Sequence, residues 1–317
     1  MNAAGRLSLY AAGVAVAFAG ALALSAAVIP DSVAAGWNGG NMMDDHSSMG
    51  ADKETSAGLP AALPGLSLSA GGYVLAPVTA PAIVGESGEL SFQILSKDGS
   101  PLTEFATGHG KDLHLIVVRS DGDQFRHVHP AFEENTGTWS LPWQWDEAGT
   151  YRVYADFTAG DAAKGVTLSR TVEVAGTYAP VVSEVSRVAQ VDDYAVSIAG
   201  DLVAGSASDL TISITQRGEP VIGLEPYLGA FGHLVALREG DLAYLHVHAD
   251  GEEPQLGETA GPEITFMAQA PTTGRYLLYL DFQIDGQVRT APFVLDAGSM
   301  ATDDTSTDDH DDESHGH

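Results

Sequence analysis

The feature that most constrains this chain is a stretch that occurs twice. LHLIVVRSDGDQFRHVHP, residues 113–130, and GHLVALREGDLAYLHVHAD, residues 232–250, each carry a histidine, a second thirteen residues on, and a third two residues after that. They are His114, His127 and His129 in the first copy and His233, His246 and His248 in the second. Side chains two apart on a β-strand leave from the same face, so each His-x-His pair projects together. Asp121-Gly122 and Gly240-Asp241 are two-residue hairpin signals between apolar runs. Hairpins centred there set His114 opposite His129 and His233 opposite His248, with Cβ atoms about 5 Å apart. Each copy then gathers three imidazoles on one hairpin face, an arrangement suited to a metal ion.

The repetition extends well past the histidines. ELSFQI at 89–94 matches DLTISI at 209–214, and Pro101 and Pro220 each lie thirteen residues before the first histidine of their copy. AGTYRVYADF at 148–157 matches TGRYLLYLDF at 273–282, which aligns Tyr151 with Tyr276, Tyr154 with Tyr279 and Asp156 with Asp281. This is a tandem duplication in which core positions varied while the histidine spacing did not. Short β-branched and aromatic runs at 90–95, 113–118, 151–157 and 171–174, separated by turn signals and without a long 3.6-residue period, predict an all-β fold. The expectation is two tandem antiparallel β-sandwich lobes, immunoglobulin- or cupredoxin-like, over residues 66–175 and 185–297, joined by a loose connection at 176–184.

Around the lobes lie segments of other character. Residues 1–35 hold Arg6 and an uncharged apolar run at 7–29, and read as a signal peptide or a membrane anchor. Either places the remainder outside the cytoplasm, secreted or anchored to the cytoplasmic membrane. Residues 36–65 form a Gly-, Ser- and Pro-rich tether in which Met42, Met43, His46 and Met49 cluster, an accessory metal tract or a plain polar linker. Residues 298–317 are an acidic tail with His310, His315 and His317.

With 14 basic and 43 acidic residues, the chain carries a net charge of −29. That argues against nucleic acid and favours cations as partners. The absence of cysteine excludes thiolate zinc sites, type 1 copper and cysteine nucleophiles. Three imidazoles without thiolate suit Cu(II), Zn(II) or Ni(II); the affinity order and the tether methionines favour copper, with zinc the alternative. His109 is not repeated, since Leu228 stands at its counterpart, and reads as a capping or surface residue. Asp156 and Asp281 are candidate accessory ligands, tautomer-fixing partners or strand-end residues. The histidine faces also carry Ile116, Val118 and Phe125, or Val235, Leu237 and Tyr244, so a core in which the histidines merely pack is the competing reading.

The hairpin motifs resemble those of exported bacterial heavy-metal-binding proteins with YtkA-like or FixH-like β-sandwich modules, over about residues 66–297. The resemblance implies an envelope protein associated with copper handling, with the six hairpin histidines as its motif; Ala249 departs from the Pro130 that follows the last histidine in the first copy. The resulting expectation is a non-enzymatic extracytoplasmic copper carrier or buffer, partnered by metal ions and by another envelope metal-transport protein. A three-histidine zinc enzyme and a surface interaction module are the alternatives. Whether the hairpins share one ion or bind one each is left open by the sequence.

Overall fold

In a computed structural model, residues 63–299 are described apart from 109, 161–164, 246, 252 and 256, and residue 248 by its backbone alone. The leader, the tether with Met42, Met43, His46 and Met49, His109, His246 and the tail lie outside the described residues. Among the described residues there is no helix, and hence none long and apolar enough to cross a membrane. The fold is all-β, built from two tandem antiparallel sandwiches.

The first repeat runs β1 (Ser69–Ala70), β2 (Tyr73–Leu75), β3 (Gly88–Leu95), β4 (Phe105–Ala106), β5 (Leu113–Arg119), β6 (Arg126–Val128), β7 (Ala131–Glu133), β8 (Thr138–Trp143), β9 (Gly149–Ala159) and β10 (Val166–Val174). Its sheets have the orders β1-β2-β3-β8-β7 and β10-β9-β5-β6, with β4 on β9. The second runs β11 (Val188–Val191), β12 (Tyr194–Ala199), β13 (Leu202–Val203), β14 (Ala207–Gln216), β15 (Glu219–Pro220), β16 (His233–Arg238), β17 (Tyr244–Leu245), β18 (Val247–Ala249), β19 (Glu263–Gln269), β20 (Gly274–Ile284) and β21 (Gln287–Gly298). Its sheets are β11-β12-β14-β19-β18, with β15 on β14, and β13-β21-β20-β16-β17.

Strand patterning explains the layers. β3 alternates between buried and part-buried residues, as a strand with one face on a core should. β5, by contrast, is buried almost throughout. Leu113, Leu115 and Val117 face the sandwich core, which also holds Leu90, Trp139, Trp145 and Val153. Ile116 and Val118 face the opposite way, into a separate cluster with Tyr154, Val235, Leu237, Leu242, Leu277 and Tyr279. Those residues come from both repeats, so the histidine-bearing face of each hairpin sheet is an interlobe core. Each such side chain contributes about 1.5–3 kcal/mol on leaving water. Two hydroxyls stitch this core across the lobes: Tyr154 donates to Leu242 O at 2.6 Å, and Tyr279 donates to Gly122 O. Phe125 stacks on Tyr279 with centroids 4.0 Å apart. Only glycine fits at 122, where φ is +87° and a Cβ would lie 2.4 Å from Leu277 Cδ1.

The connection between repeats is pinned rather than loose. Val181 N donates to Asp121 Oδ2 at 2.9 Å, and Ser183 O accepts from Arg275 Nη1 at 3.0 Å. The sequence gives no strand signal there because its partners are side chains brought in from far along the chain. The fully buried Arg119 anchors the same corner. Its guanidinium pairs with Asp121 at 2.8 Å, Asp123 at 3.1 Å and Glu147.

The expected two-residue turns are replaced by longer loops. Arg119 N donates to Asp123 O and Arg238 N to Ala243 O, each at 2.9 Å. Asp121 and Asp241 organise these loops, each accepting from its own arginine and from the backbone N–H two residues on. The first loop closes across three residues and the second across four, and the strands beyond them keep the expected pairing register. Ile116 lies opposite His127, and Ala236 opposite Leu245.

Candidate metal centre

At the end of the interlobe core, β5 supplies His114, β6 supplies His127, and His129 follows as the chain crosses toward β7. The hydrogen-bonded register carries His114 to the position opposite His129, and their rings meet edge to face with centroids 5.0 Å apart. His114 Nδ1 is 3.0 Å from His127 Nε2 and 3.2 Å from His129 Nε2. One nitrogen of each ring lies within 4.8 Å of the others, the group of the described residues with metal-binding geometry. Nitrogen–metal bonds of about 2.0–2.1 Å in a tetrahedron put ligands about 3.3 Å apart, close to the distances of His114 Nδ1 from His127 and from His129.

The outer nitrogens fix which inner ones carry lone pairs. His114 Nε2 is 3.2 Å from Gly108 O, and His127 Nδ1 is 2.7 Å from Asp281 Oδ2. A carbonyl and a carboxylate can only accept, so these two ring nitrogens are the N–H donors. The inner nitrogens, His114 Nδ1 and His127 Nε2, therefore present lone pairs to each other at 3.0 Å. Two facing lone pairs repel unless a proton or a cation lies among them. Burial, and then the neighbouring His127 and His114 rings, push the His129 imidazole down to about 3.

The second repeat contributes to the same place. Asp281 on β20 is buried, accepts from Thr290 Oγ1 at 2.6 Å, and orients His127 of the other lobe. It lies opposite His233 in the β16–β20 pairing, as Asp156 lies opposite His114 in the β5–β9 pairing. His233 Nε2 donates to Tyr227 O at 2.8 Å, the counterpart of the His114 bond to Gly108 O. Its ring centroid is 6.4 Å from that of His114 and 6.3 Å from that of His127.

The structure thus brings together His114, His127, His129, His233 and Asp281. Asp156 accepts from Thr167 Oγ1 at 2.7 Å and lines the adjoining cavity with His114 and His127. The backbone of His248 lies in β18, paired with Met267 of β19 in the other sheet of its lobe. The crossover from one sheet to the other is therefore made earlier in the second hairpin, after β17, whereas in the first repeat the strand stays with β5 through Val128. Pro130, which lacks an N–H, stands where Ala249 already pairs with Phe266. Sequence reasoning missed Gly108 and Tyr227, whose carbonyls set ring tautomers, because any residue can supply a backbone carbonyl.

The family described as "Domain of unknown function (DUF8832)" matches the chain twice, over residues 70–176 and 189–299. These matches coincide with the duplicated sandwiches, and they stand where YtkA-like or FixH-like modules were expected. No curated protein matches the sequence. Similar solved structures include Salmonella alpha-2-macroglobulin reacted with methylamine, 16% identical with TM-score 0.25, covering 74% of this chain and 15% of that one. They also include the Yersinia pseudotuberculosis adhesin InvE, 12% identical with TM-score 0.20, covering 72% of this chain and 60% of the adhesin. Domains 5-6 of the S-layer protein SbsC are 12% identical with TM-score 0.21, covering 72% of this chain and 100% of that one.

Proposed function

This chain belongs to the DUF8832 family, and we propose that it is an exported metal-binding protein, a copper carrier or buffer, holding one ion at the interlobe imidazole cluster. The observation that carries this reading is the pair of lone-pair nitrogens, His114 Nδ1 and His127 Nε2, facing each other at 3.0 Å with His129 beside them. A single divalent ion among the three rings converts that repulsion into coordination. His233, on the far lobe, has its ring centroid 6.4 Å from that of His114 and 6.3 Å from that of His127. An all-nitrogen set favours copper in the affinity order, with zinc the alternative. The Met42, Met43, His46 and Met49 tract, the resemblance to YtkA-like and FixH-like proteins, and the apolar leader support copper and an extracytoplasmic location. Another envelope metal-transport protein is the partner such a carrier requires.

The test is metal content of the full-length protein after exposure to equimolar copper and zinc and exhaustive dialysis. One copper per chain, lost in His114→Ala and His127→Ala with the β-sheet circular dichroism intact, is the expected result. Zinc retained in preference, with metal-dependent turnover of an ester probe, supports the enzyme instead. No retained metal overturns the reading and leaves the surface-module alternative.

A further inference from the structure

Beside the imidazole cluster, and extending into the second sandwich, is a cavity of about 460 Å³. It reaches His114, His127 and His233 at one end and continues between the sheets past Leu234, Leu245 and Phe266. The first repeat fills the matching space with aromatic rings: Phe105 packs on Phe132 at 5.2 Å and on Trp139 at 5.1 Å, and Phe132 on Trp139 at 4.5 Å.

The two copies differ at the positions that bound this space. Trp139 lies opposite Phe92 on β3, and Ile264 lies opposite Ile212, the matching rung of β14. The residue three places after the last hairpin histidine is Phe132 in one copy and Gly251 in the other. The residue before the first hairpin histidine is Leu113 in one and Gly232 in the other. At all three positions the second copy carries the smaller residue, and Gly232, Gly251 and Ile264 all line the cavity. Interiors are close-packed by default, so three smaller residues gathered at one spot mark a space held open.

The lining says what the space suits. Phe231, Val247 and Ile264 are part-buried apolar walls packed against the core. The ionisable groups besides the histidines and Tyr244 are carboxylates, Asp156, Asp250, Glu253 and Glu263, and no lysine or arginine lines the cavity among the described residues. We propose that this cavity is a binding site for a small organic ammonium ion with an apolar body, its charge held by the rim carboxylates and its body by the hollowed sandwich. Such a ligand is repelled by none of the lining groups, whereas a carboxylate of the same shape meets four like charges.

The experiment uses the full-length protein freed of metal, so that it stands or falls apart from the metal reading. Benzylammonium, benzyl alcohol and benzoate are titrated calorimetrically. The expected result is saturable binding of benzylammonium, weaker binding of the alcohol and none of benzoate. Ile264→Trp, which restores the first repeat's aromatic at that rung, is expected to weaken benzylammonium binding at least tenfold while leaving the three-histidine cluster able to take copper. Glu253→Gln/Glu263→Gln is expected to weaken benzylammonium and leave the alcohol unchanged. Absence of benzylammonium binding, benzoate binding as tightly, or binding unchanged in Ile264→Trp each overturns the proposal.

Discussion

Asp281 offers the sharpest test of how the cluster works, because it belongs to one lobe and orients a histidine of the other. Its Oδ2 accepts the His127 Nδ1–H at 2.7 Å and its Oδ1 accepts the Thr290 hydroxyl at 2.6 Å. The first bond holds the His127 lone pair on Nε2, toward His114. Asp281→Asn keeps the shape: the amide oxygen can still accept from His127 while the amide N–H₂ donates to Thr290. Only the charge is lost, and charge-assisted bonds are about twice as strong as neutral ones. Asp281→Leu removes the acceptor and releases the ring to either tautomer.

Loss of a partner that orients a metal-bound histidine typically weakens metal binding about 10–100-fold, or about 1.4–2.7 kcal/mol. The Asn variant is expected at the lower end and the Leu variant at the upper. At free metal about 100 times the dissociation constant, the ion raises folding stability by ~2.7 kcal/mol. At the same free metal, tenfold weaker binding leaves ~1.4 kcal/mol and hundredfold weaker binding leaves ~0.4 kcal/mol. Competition against a chromophoric chelator gives the affinity, and urea unfolding with and without metal gives the increment. Thr290→Val, which spares the His127 contact, is the control and should change affinity little. An Asp281→Leu protein that folds and binds copper within twofold of the parent would falsify the orienting role.

Three further outcomes follow from the packing and charges. Tyr154→Phe and Tyr279→Phe each remove one interlobe hydrogen bond to a loop carbonyl and should cost about 1 kcal/mol each in chemical denaturation, with smaller coupling between them. Arg119→Met leaves the largely buried Asp121 without its cation and should destabilise the metal-free protein by about 3 kcal/mol; a loss under 1 kcal/mol would sink the idea that this residue anchors the linker corner. The His129 imidazole lies at about 3 in the folded chain against an ordinary 6.5. Below pH 6.5 the unfolded chain therefore takes up a proton that the folded chain refuses, so stability is full above that pH and falls steadily toward pH 3. Partial exposure of the ring tempers the size of this effect. Metal-free His129→Gln should lose less stability than the parent between pH 7 and 4, and an identical loss in both refutes the assignment.

Much of the fold was legible because a duplicated sequence carries its own alignment. The hairpin registers were expected from where the turn signals are centred, and they survive the replacement of two-residue turns by loops of three and four residues. Periodicity could show that Ile116, Val118, Val235 and Leu237 share the histidine face and that this face is apolar. It could not show what covers that face, since the cover is the same face of the other repeat. The meeting of the first-repeat histidines with His233 and Asp281 was hidden for the same reason. The carbonyls of Gly108 and Tyr227 carry no side-chain signature at all. The cavity was written in the sequence, in the pairs Leu113/Gly232 and Phe132/Gly251, but its third member, Trp139/Ile264, is recognised only through the strand register.

The arrangement gives a reason for duplication that a single sandwich would not satisfy. A lone lobe would expose Ile116, Val118 and Tyr154, or Val235, Leu237 and Tyr279, and would separate His127 from the carboxylate that orients it. Metal affinity should then depend on the interlobe core itself, including residues that touch no histidine. Leu277 is such a residue, 2% exposed and packed against Gly122 of the other lobe. Leu277→Ala creates a cavity and should cost about 2–5 kcal/mol of stability. If seating of the lobes holds His127 against Asp281, the same variant should also bind copper several-fold more weakly, and saturating copper should recover part of the lost stability. Calorimetric titration of the variant reads the first and thermal unfolding with and without copper reads the second. Unchanged affinity in a measurably destabilised Leu277→Ala protein would mean that the first-repeat histidines are preorganised within their own hairpin, with the second lobe serving only as their cover.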